Sequence, residues 1–422
     1  MTSAPAPSPA TRWFAFASLS LIYFVISAGA FSSLGVALPA MVTEMKWNWG
    51  QAGLGYTLLG TGCGLASLIP AVLIRRIGVR GTMAVGMATM IAGFSTMALT
   101  HSVWAYFTGT TLIGIAFSLV STVPGSHVLT EVFKNRSTAL GAYFAIGTMG
   151  GVAGPQIYVA VEGLTGGWRP YWWTYVALSV AAGLFAIFTT PPRRDESAHI
   201  TEPPEMAGPG ELVVGLGDWT VRRALMTPQF YVIFGVYTTY LLINTTAHAF
   251  APEHLIEHNV SKVDAAAMLS IEAAIGVAVS LVGGWLGERV STKTLMLICM
   301  GAVAIGQFAL AEAREWGLMS LFAVGVGIGY GLSFTPPTVM LLKYFGKRAN
   351  LELFATMCLF STIAVAGPAI GGFAHNVTGS FEGLFLGCGA VTVAMFLATL
   401  FLKPPAALTS GEAAAAVGAP AE

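Results

Sequence analysis

The chain has 422 residues, of which 55% are hydrophobic and only 9% are charged, and its formal net charge is zero. A soluble domain carries about a quarter charged residues, so the composition excludes an ordinary soluble protein, and the zero net charge gives no indication of nucleic-acid binding. Apolar runs of about 18 residues or more recur from end to end, each long enough to cross a hydrocarbon core. The runs are continuous rather than alternating, so they predict helices and not the strands of a barrel.

Twelve membrane-spanning helices are predicted, six on each side of a longer polar stretch. Those of the first half are residues 13–38, 49–73, 81–100, 103–127, 138–162 and 171–190, and those of the second half are 229–251, 263–287, 294–312, 317–341, 352–375 and 382–402. The first apolar run is too long for the core of a cleaved signal peptide. The predicted domains are a cytoplasmic tail (1–12), a six-helix bundle (13–192), a cytoplasmic linker (193–226), a second six-helix bundle (227–403) and a disordered tail (404–422).

The second half repeats the first at a constant offset. Ala153-Gly154-Pro155 recurs 213 positions later as Ala366-Gly367-Pro368, and Thr165-Gly166 recurs at the same offset as Thr378-Gly379. Six helices per copy restore the same orientation, so the two copies should be related by an axis along the membrane normal. The sequence therefore predicts an all-α membrane protein with two pseudo-symmetric six-helix halves.

The positive charges predict the orientation. Sixteen of the 20 Lys and Arg residues lie in segments on the side of both termini, and those on the other side are Lys46, Arg169, Lys262 and Arg314. Positive residues concentrate in cytoplasmic loops, so both termini are predicted to be cytoplasmic. The short loops indicate a bacterial inner membrane. The predicted spans themselves contain no Lys or Arg.

The loop after the eighth predicted helix carries a recognisable motif, Gly284-Trp285-Leu286-Gly287-Glu288-Arg289-Val290-Ser291-Thr292-Lys293. It resembles the signature G-x-L-x-[DE]-R-x-G-x-[RK] of the major facilitator superfamily, with Ser291 in place of a glycine. The first-half copy, residues 71–80, departs from the signature by having Arg75 at the acidic position. The resemblance implies a transporter with a cytoplasmic gate at Arg76, Gly78, Arg80, Gly284, Glu288, Arg289 and Lys293.

Three shorter segments resemble the bacterial monocarboxylate and oxalate/formate porters. They are residues 132–141, the sequence Thr227-Pro228-Gln229-Phe230, and residues 47–52. This resemblance implies a small monocarboxylate as cargo. Those porters hold the carboxylate with an Arg in the eighth helix, a residue suited to bidentate pairing. The aligned position in this sequence is Ser280. Hydroxyls, amides or helix dipoles would therefore have to hold the carboxylate in place of that Arg, or the substrate is less anionic or binds as the neutral acid.

Glu272 is the predicted proton-coupling residue. It lies ten positions after Lys262, which places it about 15 Å deep, near the middle of the membrane. A carboxylate there costs ~2.5–3.5 kcal/mol on insertion scales, and the repeat-mate is Leu59, so the fold itself does not require the charge. Without Lys or Arg in the spans, Glu272 should be protonated much of the time. The alternative is a neutral carboxyl group hydrogen-bonded inside the bundle.

Polar residues on the first, fourth, seventh and tenth predicted helices would line the substrate cavity if the family arrangement holds. Together with Ser280, the candidates for substrate binding are Tyr23, Ser27, Thr111, Ser118, Tyr240, Asn244, Tyr330 and Ser333. Each could instead form hydrogen bonds between helices. His248 is predicted to end the seventh helix near the outer face, where a solvated interface histidine is expected.

Two other functions remain open. The segment 150–155 resembles the G-x-x-x-G-P motif of proton-driven exporters, although Tyr158-Val159 replaces the Gly pair that should follow, and small residues also serve close helix packing. A transporter-like sensor without flux is the second alternative, although no signalling domain is evident.

Chemistry other than transport has no support in the sequence. There is no phosphate-binding loop, metal-ligand cluster or Ser-His-Asp set, so we expect no enzymatic activity, no cofactor and no metal. The expected partners are a small-molecule substrate, protons and the lipid bilayer, without nucleic acid, and the chain is expected to act as a monomer by alternating access of its two halves.

Overall fold

The computed structural model describes residues 9–67, 69–133, 136–190, 219–286 and 289–405. The described residues contain no β-strand. Their α-helices are α1 (Pro9–Gly29), α2 (Phe31–Met45), α3 (Trp49–Ala66), α4 (Ile69–Ala98), α5 (Val103–Val120), α6 (Thr122–Val132), α7 (Arg136–Thr165), α8 (Arg169–Thr189), α9 (Val221–Leu225), α10 (Pro228–Glu257), α11 (Lys262–Leu286), α12 (Thr292–Ala311), α13 (Trp316–Leu332), α14 (Thr335–Ser361), α15 (Gly367–Thr378) and α16 (Glu382–Leu400). A short 3-10 helix, Thr362–Ala366, separates α14 from α15. Most of the predicted tails (1–12 and 404–422) and of the linker (193–226) lies outside the described residues.

Eleven helical segments of the described residues are long and apolar enough to cross a membrane. They correspond to eleven of the predicted spans, and the remaining one, residues 49–73, is formed by α3 and the first residues of α4. The structure therefore confirms the predicted all-helical membrane fold. Several boundaries differ from the predicted ones, and the one that matters for the site is the end of α10, which continues to Glu257 with Pro252 inside it instead of ending at residue 251. Membrane helices accommodate an internal proline when neighbouring groups satisfy the freed backbone.

Several helices are interrupted or joined at defined residues. α1 and α2 meet at Ala30 and together form one apolar segment of 36 residues, Ala10–Met45. α4 and α14 each contain a glycine with non-helical backbone angles, Gly78 (φ 74°, ψ 172°) and Gly346 (φ 76°, ψ 176°). This backbone region is essentially restricted to glycine, so these two residues allow the chain to turn between consecutive spans.

Side-chain caps set the starts of helices in both halves of the sequence. Asn48 accepts a hydrogen bond from the backbone N–H of Gln51, whose side chain in turn accepts one from the N–H of Asn48. Ser291 accepts from the N–H of Thr294 at the start of α12. Such caps satisfy backbone donors that have no partner within the helix, and they explain why α3 and α12 begin at these residues.

The chain divides into two compact units. Unit 1 comprises Met1–Met206, His248–Ala273 and Pro368–Ser380. Unit 2 comprises Ala207–Ala247, Ala274–Gly367 and Phe381–Glu422. The last turns of α10, the first half of α11 and nearly all of α15 therefore belong to unit 1. α11 begins at Lys262, and we call the part of unit 1 around this residue the Lys262 end.

Each unit has its own apolar core. In unit 1, α1 packs on α7 and α8, and α4 packs on α5 and α8. The ring of Phe94 stacks on Trp172 with centroids 6.1 Å apart, and both side chains are fully buried. In unit 2, α12 packs on α13 and α16, and the buried core includes Met296, Leu341 and Phe345. Burial of these large apolar side chains positions the helices that carry the polar residues described next.

Candidate functional site

A buried acid–base pair lies in unit 1, formed by His248 of α10 and Glu272 of α11. Nε2 of His248 is 3.2 Å from Oε2 of Glu272, and the two side chains are 9% and 1% exposed. The two side chains therefore form a buried polar contact between α10 and α11.

The structure corrects the predicted setting of His248. The residue is buried and not solvated, because α10 continues to Glu257 and leaves His248 about two and a half turns before the helix end. Its neighbours Ala247, Ala249 and Phe250 are buried as well. The apolar residues around His248 were the sequence feature that indicated its burial. Pro252 outweighed this feature, because it suggested that the helix ends before residue 252.

Two further helices of unit 1 reach the pair. Tyr56 of α3 is 1% exposed, donates a hydrogen bond from its hydroxyl to the carbonyl of Phe31 (2.8 Å), and is close enough to Glu272 for electrostatic interaction. Gly35 of α2 lies so close to the carbonyl oxygen of His248 that a Cβ atom at position 35 would overlap it. The pair thus lies where α2, α3, α10 and α11 come together.

The arrangement is suited to handling a proton. When the pair gains or loses a proton, the net charge of a buried site changes by one unit. Buried charge is costly unless it is paired, so each protonation state favours a different arrangement of the surrounding groups.

The predicted substrate-binding residues in unit 1 are Tyr23, Ser27, Thr111 and Ser118. Tyr23 is 8% exposed, and its ring centroid lies 5.1 Å from that of Tyr143. Ser118 donates a hydrogen bond from Oγ to the carbonyl of Cys63 (2.7 Å), and Thr111 donates to the carbonyl of Phe107 in its own helix (2.7 Å). Ser27 is half-buried beside α7. The hydroxyls of Ser118 and Thr111 thus bond to backbone carbonyls.

The remaining predicted substrate residues lie in unit 2, and they are Tyr240, Asn244, Ser280, Tyr330 and Ser333. The rings of Tyr240 and Tyr330 stack with centroids 6.5 Å apart and an interplanar angle of 28°. Ser280 donates from Oγ to the carbonyl of Gly331 (3.5 Å), and Ser333 donates to the carbonyl of Tyr330 (3.0 Å). The structure therefore brings polar side chains of α10, α11 and α13 together in this unit.

Two of the predicted gate residues make equivalent contacts within their own units. Nε of Arg80 donates to the carbonyl of Thr190 at the end of α8 (2.6 Å). Nζ of Lys293, its repeat-mate, donates to the carbonyls of Leu400 and Leu402 at the end of α16 (2.8 and 2.9 Å). A cation at the carboxyl end of a helix is favoured by the orphan carbonyls and by the helix dipole.

For the other predicted gate residues, the structure gives their backbone position or the exposure of their side chains. Gly78 provides the backbone turn in α4, and the side chains of Arg76 and Arg289 are exposed. Gly284 belongs to α11, and Glu288 lies outside the described residues.

The small residues of α7 pack against α1. A Cβ atom at Gly150 would lie 2.5 Å from the carbonyl oxygen of Phe24, and one at Gly154 would overlap the carbonyl of Ala28. Small residues at such positions allow two helix backbones to approach closely. The glycines of the segment that resembles the exporter motif therefore have a packing role.

The described residues are helical and contain eleven segments long and apolar enough to cross a membrane, and the sequence repeats at a constant offset, as expected of a polytopic membrane protein. The family model of the Major Facilitator Superfamily matches residues 19–276 and 232–421. The chain belongs to this family, and the match indicates a transporter rather than an enzyme.

Two bacterial transporters are similar to most of the chain. The hexuronate transporter of Bacillus subtilis (strain 168) is 23% identical over 432 residues, covering 92% of this chain and 95% of its own length. The uncharacterized transporter YycB of the same organism is 22% identical over 371 residues, covering 83% of this chain and 84% of its own. The crystal structure of the nucleoside transporter NupG has the same fold, with a TM-score of 0.74 and 15% identity over 93% of this chain and 100% of that one.

Proposed function

We propose that this transporter moves a small carboxylate-bearing solute together with a proton, and that the His248–Glu272 pair is its proton-handling site. The observation that carries the proposal is the buried contact of 3.2 Å between the two side chains. A carboxyl group at this depth is costly, and the chain maintains it beside an imidazole, the side chain whose ordinary titration range is closest to physiological pH.

The proposed cargo is a monocarboxylate-type solute. The segments 132–141, 227–230 and 47–52 resemble monocarboxylate and oxalate/formate porters. The hexuronate transporter, which is similar along almost the whole chain, is named for a solute that also bears a carboxylate. His248 is a buried imidazole in a chain whose predicted spans contain no Lys or Arg. The nine polar side chains named above as substrate-binding candidates remain part of this proposal.

We also propose an inner-membrane protein with both termini in the cytoplasm, acting as a monomer. The unequal distribution of Lys and Arg, sixteen on one side and four on the other, supports this orientation. The Lys262 end of unit 1 then faces away from the cytoplasm, toward the side from which protons would enter.

Uptake into proteoliposomes tests the proposal. A panel of labelled monocarboxylates and a hexuronate is offered under an imposed pH gradient, acid outside, to the wild type, Glu272→Gln and His248→Gln. Glu312→Gln, which changes an exposed carboxylate at the end of α12, is the matched control. We expect gradient-driven accumulation of at least one acid by the wild type and the control, and loss of the pH dependence in the two site variants.

The other outcomes identify the alternatives. Accumulation that keeps its full pH dependence in Glu272→Gln would remove this residue from proton coupling. Failure to accumulate any acid, with proton-driven efflux of a neutral or cationic compound, would favour the exporter. Binding of a solute without flux in either direction would favour the sensor.

A further inference from the structure

The first apolar segment is interrupted between α1 and α2 at Ala30, whose backbone angles (φ −87°, ψ −93°) lie outside the helical range. The repeat-mate of this residue is Ile243, which lies 213 positions later inside the continuous helix α10. The repeated architecture therefore does not require the interruption. Because a helix end lacks part of its backbone hydrogen bonds, contacts with other helices have to fix the first turn of α2.

Tyr56 of α3 supplies one of these contacts. Its hydroxyl donates a hydrogen bond to the carbonyl of Phe31, the first residue of α2 (2.8 Å), and the two ring centroids lie 6.2 Å apart. A buried hydroxyl group is costly without a partner, so this bond ties the start of α2 to α3. The repeat-mate of Tyr56 is Leu269, which has no hydroxyl group, so the second half cannot form this bond at the related position.

The first turns of α2 also touch both helices that carry the acid–base pair. A Cβ atom added at Gly151 of α7 would lie 3.5 Å from Oγ of Ser32 and 3.7 Å from Cβ of Ala273, the residue that follows the acid of the pair. Further along α2, Gly35 lies against the backbone carbonyl of His248. A shift of the first turns of α2 would therefore disturb the positions of both members of the pair.

We propose that Tyr56 is a positioning residue for the His248–Glu272 pair, and that its hydroxyl acts by fixing the start of α2 against the helices that carry the pair. Sites of this kind depend on surrounding hydrogen bonds that hold the reacting groups in place. Among the described residues, the titratable side chains that interact with Glu272 are His248 and Tyr56 itself. Ser32 and Gly151, which pack here from α2 and α7, do not titrate. The inference rests on the proposed function for the role of the pair.

Tyr143 of α7 offers a matched control. Its side chain is fully buried, and its hydroxyl donates to the carbonyl of Ser121 (2.8 Å). Ser121 interrupts the chain between α5 and α6 with similar backbone angles (φ −99°, ψ −103°). The ring of Tyr143 lies beside Tyr23 of α1, with centroids 5.1 Å apart. Removing this hydroxyl breaks the same kind of bond at the same kind of interruption, at a place that α1, α6 and α7 form.

The first measurement reads the surroundings of the Glu272 carboxyl group directly. Infrared difference spectra of the full chain in liposomes, between acid and alkaline pH, show the C=O stretching band of each carboxyl group that gains a proton. The band that is lost in Glu272→Gln belongs to Glu272. We expect Tyr56→Phe to shift this band and Tyr143→Phe to leave it at the wild-type position. A role of Tyr56 in stability alone would lower the melting temperature of the protein and leave the band unmoved, which would overturn the proposal.

The second measurement does not require the pair to titrate. The melting-temperature losses of Tyr56→Phe and Glu272→Gln should combine to less than their sum, by about 2 °C or more, because the two residues share one set of contacts. Tyr143→Phe and Glu272→Gln should add to within about 1 °C. Additive losses for Tyr56→Phe as well would overturn the proposal. Non-additive losses without any Glu272 band would support Tyr56 as a positioning residue and count against the proposed proton handling.

Discussion

Gly35 of α2 lies directly against the backbone carbonyl of His248 in α10, leaving no space for a side chain between the two helices. His248 consequently has two roles in unit 1, since its backbone forms a close helix contact and its side chain pairs with Glu272. A change at Gly35 should therefore disturb the acid–base pair without altering either of its members.

We expect Gly35→Ala to destabilise the protein by ~1–3 kcal/mol, because the added methyl group forces the two helices apart. Thermal unfolding of the detergent-solubilised protein measures this loss. The matched control is Gly163→Ala in α7, where an added Cβ atom meets nothing within 4 Å. The control should be neutral or stabilising by up to ~1 kcal/mol through helix propensity. An equal effect of the two substitutions would contradict the close contact at Gly35.

The buried pair should show energetic coupling. Removing one partner leaves the other buried without it, so we expect His248→Gln and Glu272→Gln each to cost ~1–3 kcal/mol of stability. The double variant should cost less than the sum by ~0.5–3 kcal/mol, as residues in direct contact are not additive. A double-mutant cycle of unfolding free energies measures this difference. Additive costs would mean that the two side chains do not interact in the folded protein.

Gly346 offers a test of backbone strain alone. Its φ of 76° is unfavourable for residues with a side chain, while a Cβ atom added there would meet nothing within 4 Å. We expect Gly346→Ala to destabilise the protein by ~1–3 kcal/mol, because alanine is strained at this backbone conformation. Gly387→Ala in α16, also in open space, is the control with ordinary helical geometry. If both variants melted at the wild-type temperature, the turn at Gly346 would not require glycine.

Lys293 should stabilise the end of α16. Lys293→Met removes two hydrogen bonds to the carbonyls of Leu400 and Leu402. We expect the free energy of unfolding to fall by ~0.5–1.5 kcal/mol, a small effect because water partly solvates the exposed ammonium group. Lys293→Arg should restore most of it, because a guanidinium group can also donate to these carbonyls. Lys403→Met, at an exposed lysine beside the same helix end, is the control. Equal melting temperatures for all three variants would show that the contact contributes nothing measurable.

Much of the fold could be predicted from the sequence, because a membrane span is a local property. Twenty apolar residues must form a helix wherever they occur in lipid, and the repeats at an offset of 213 indicated two related halves without any structure. The boundary at Pro252 could not be predicted reliably. Whether a proline ends a membrane helix depends on neighbouring helices that satisfy the freed carbonyl, and these neighbours are distant in sequence.

The candidate site divides in the same way. The sequence by itself determined that Glu272 is an isolated carboxyl group deep in an apolar helix, since depth follows from counting residues after Lys262. Only the tertiary structure decided that His248 is its partner, and that Glu162 pairs with Lys262 a hundred positions away. Such pairings depend on which faces of two helices meet, and each helix turns by about 100° per residue, so a small change of rotation replaces one partner with another.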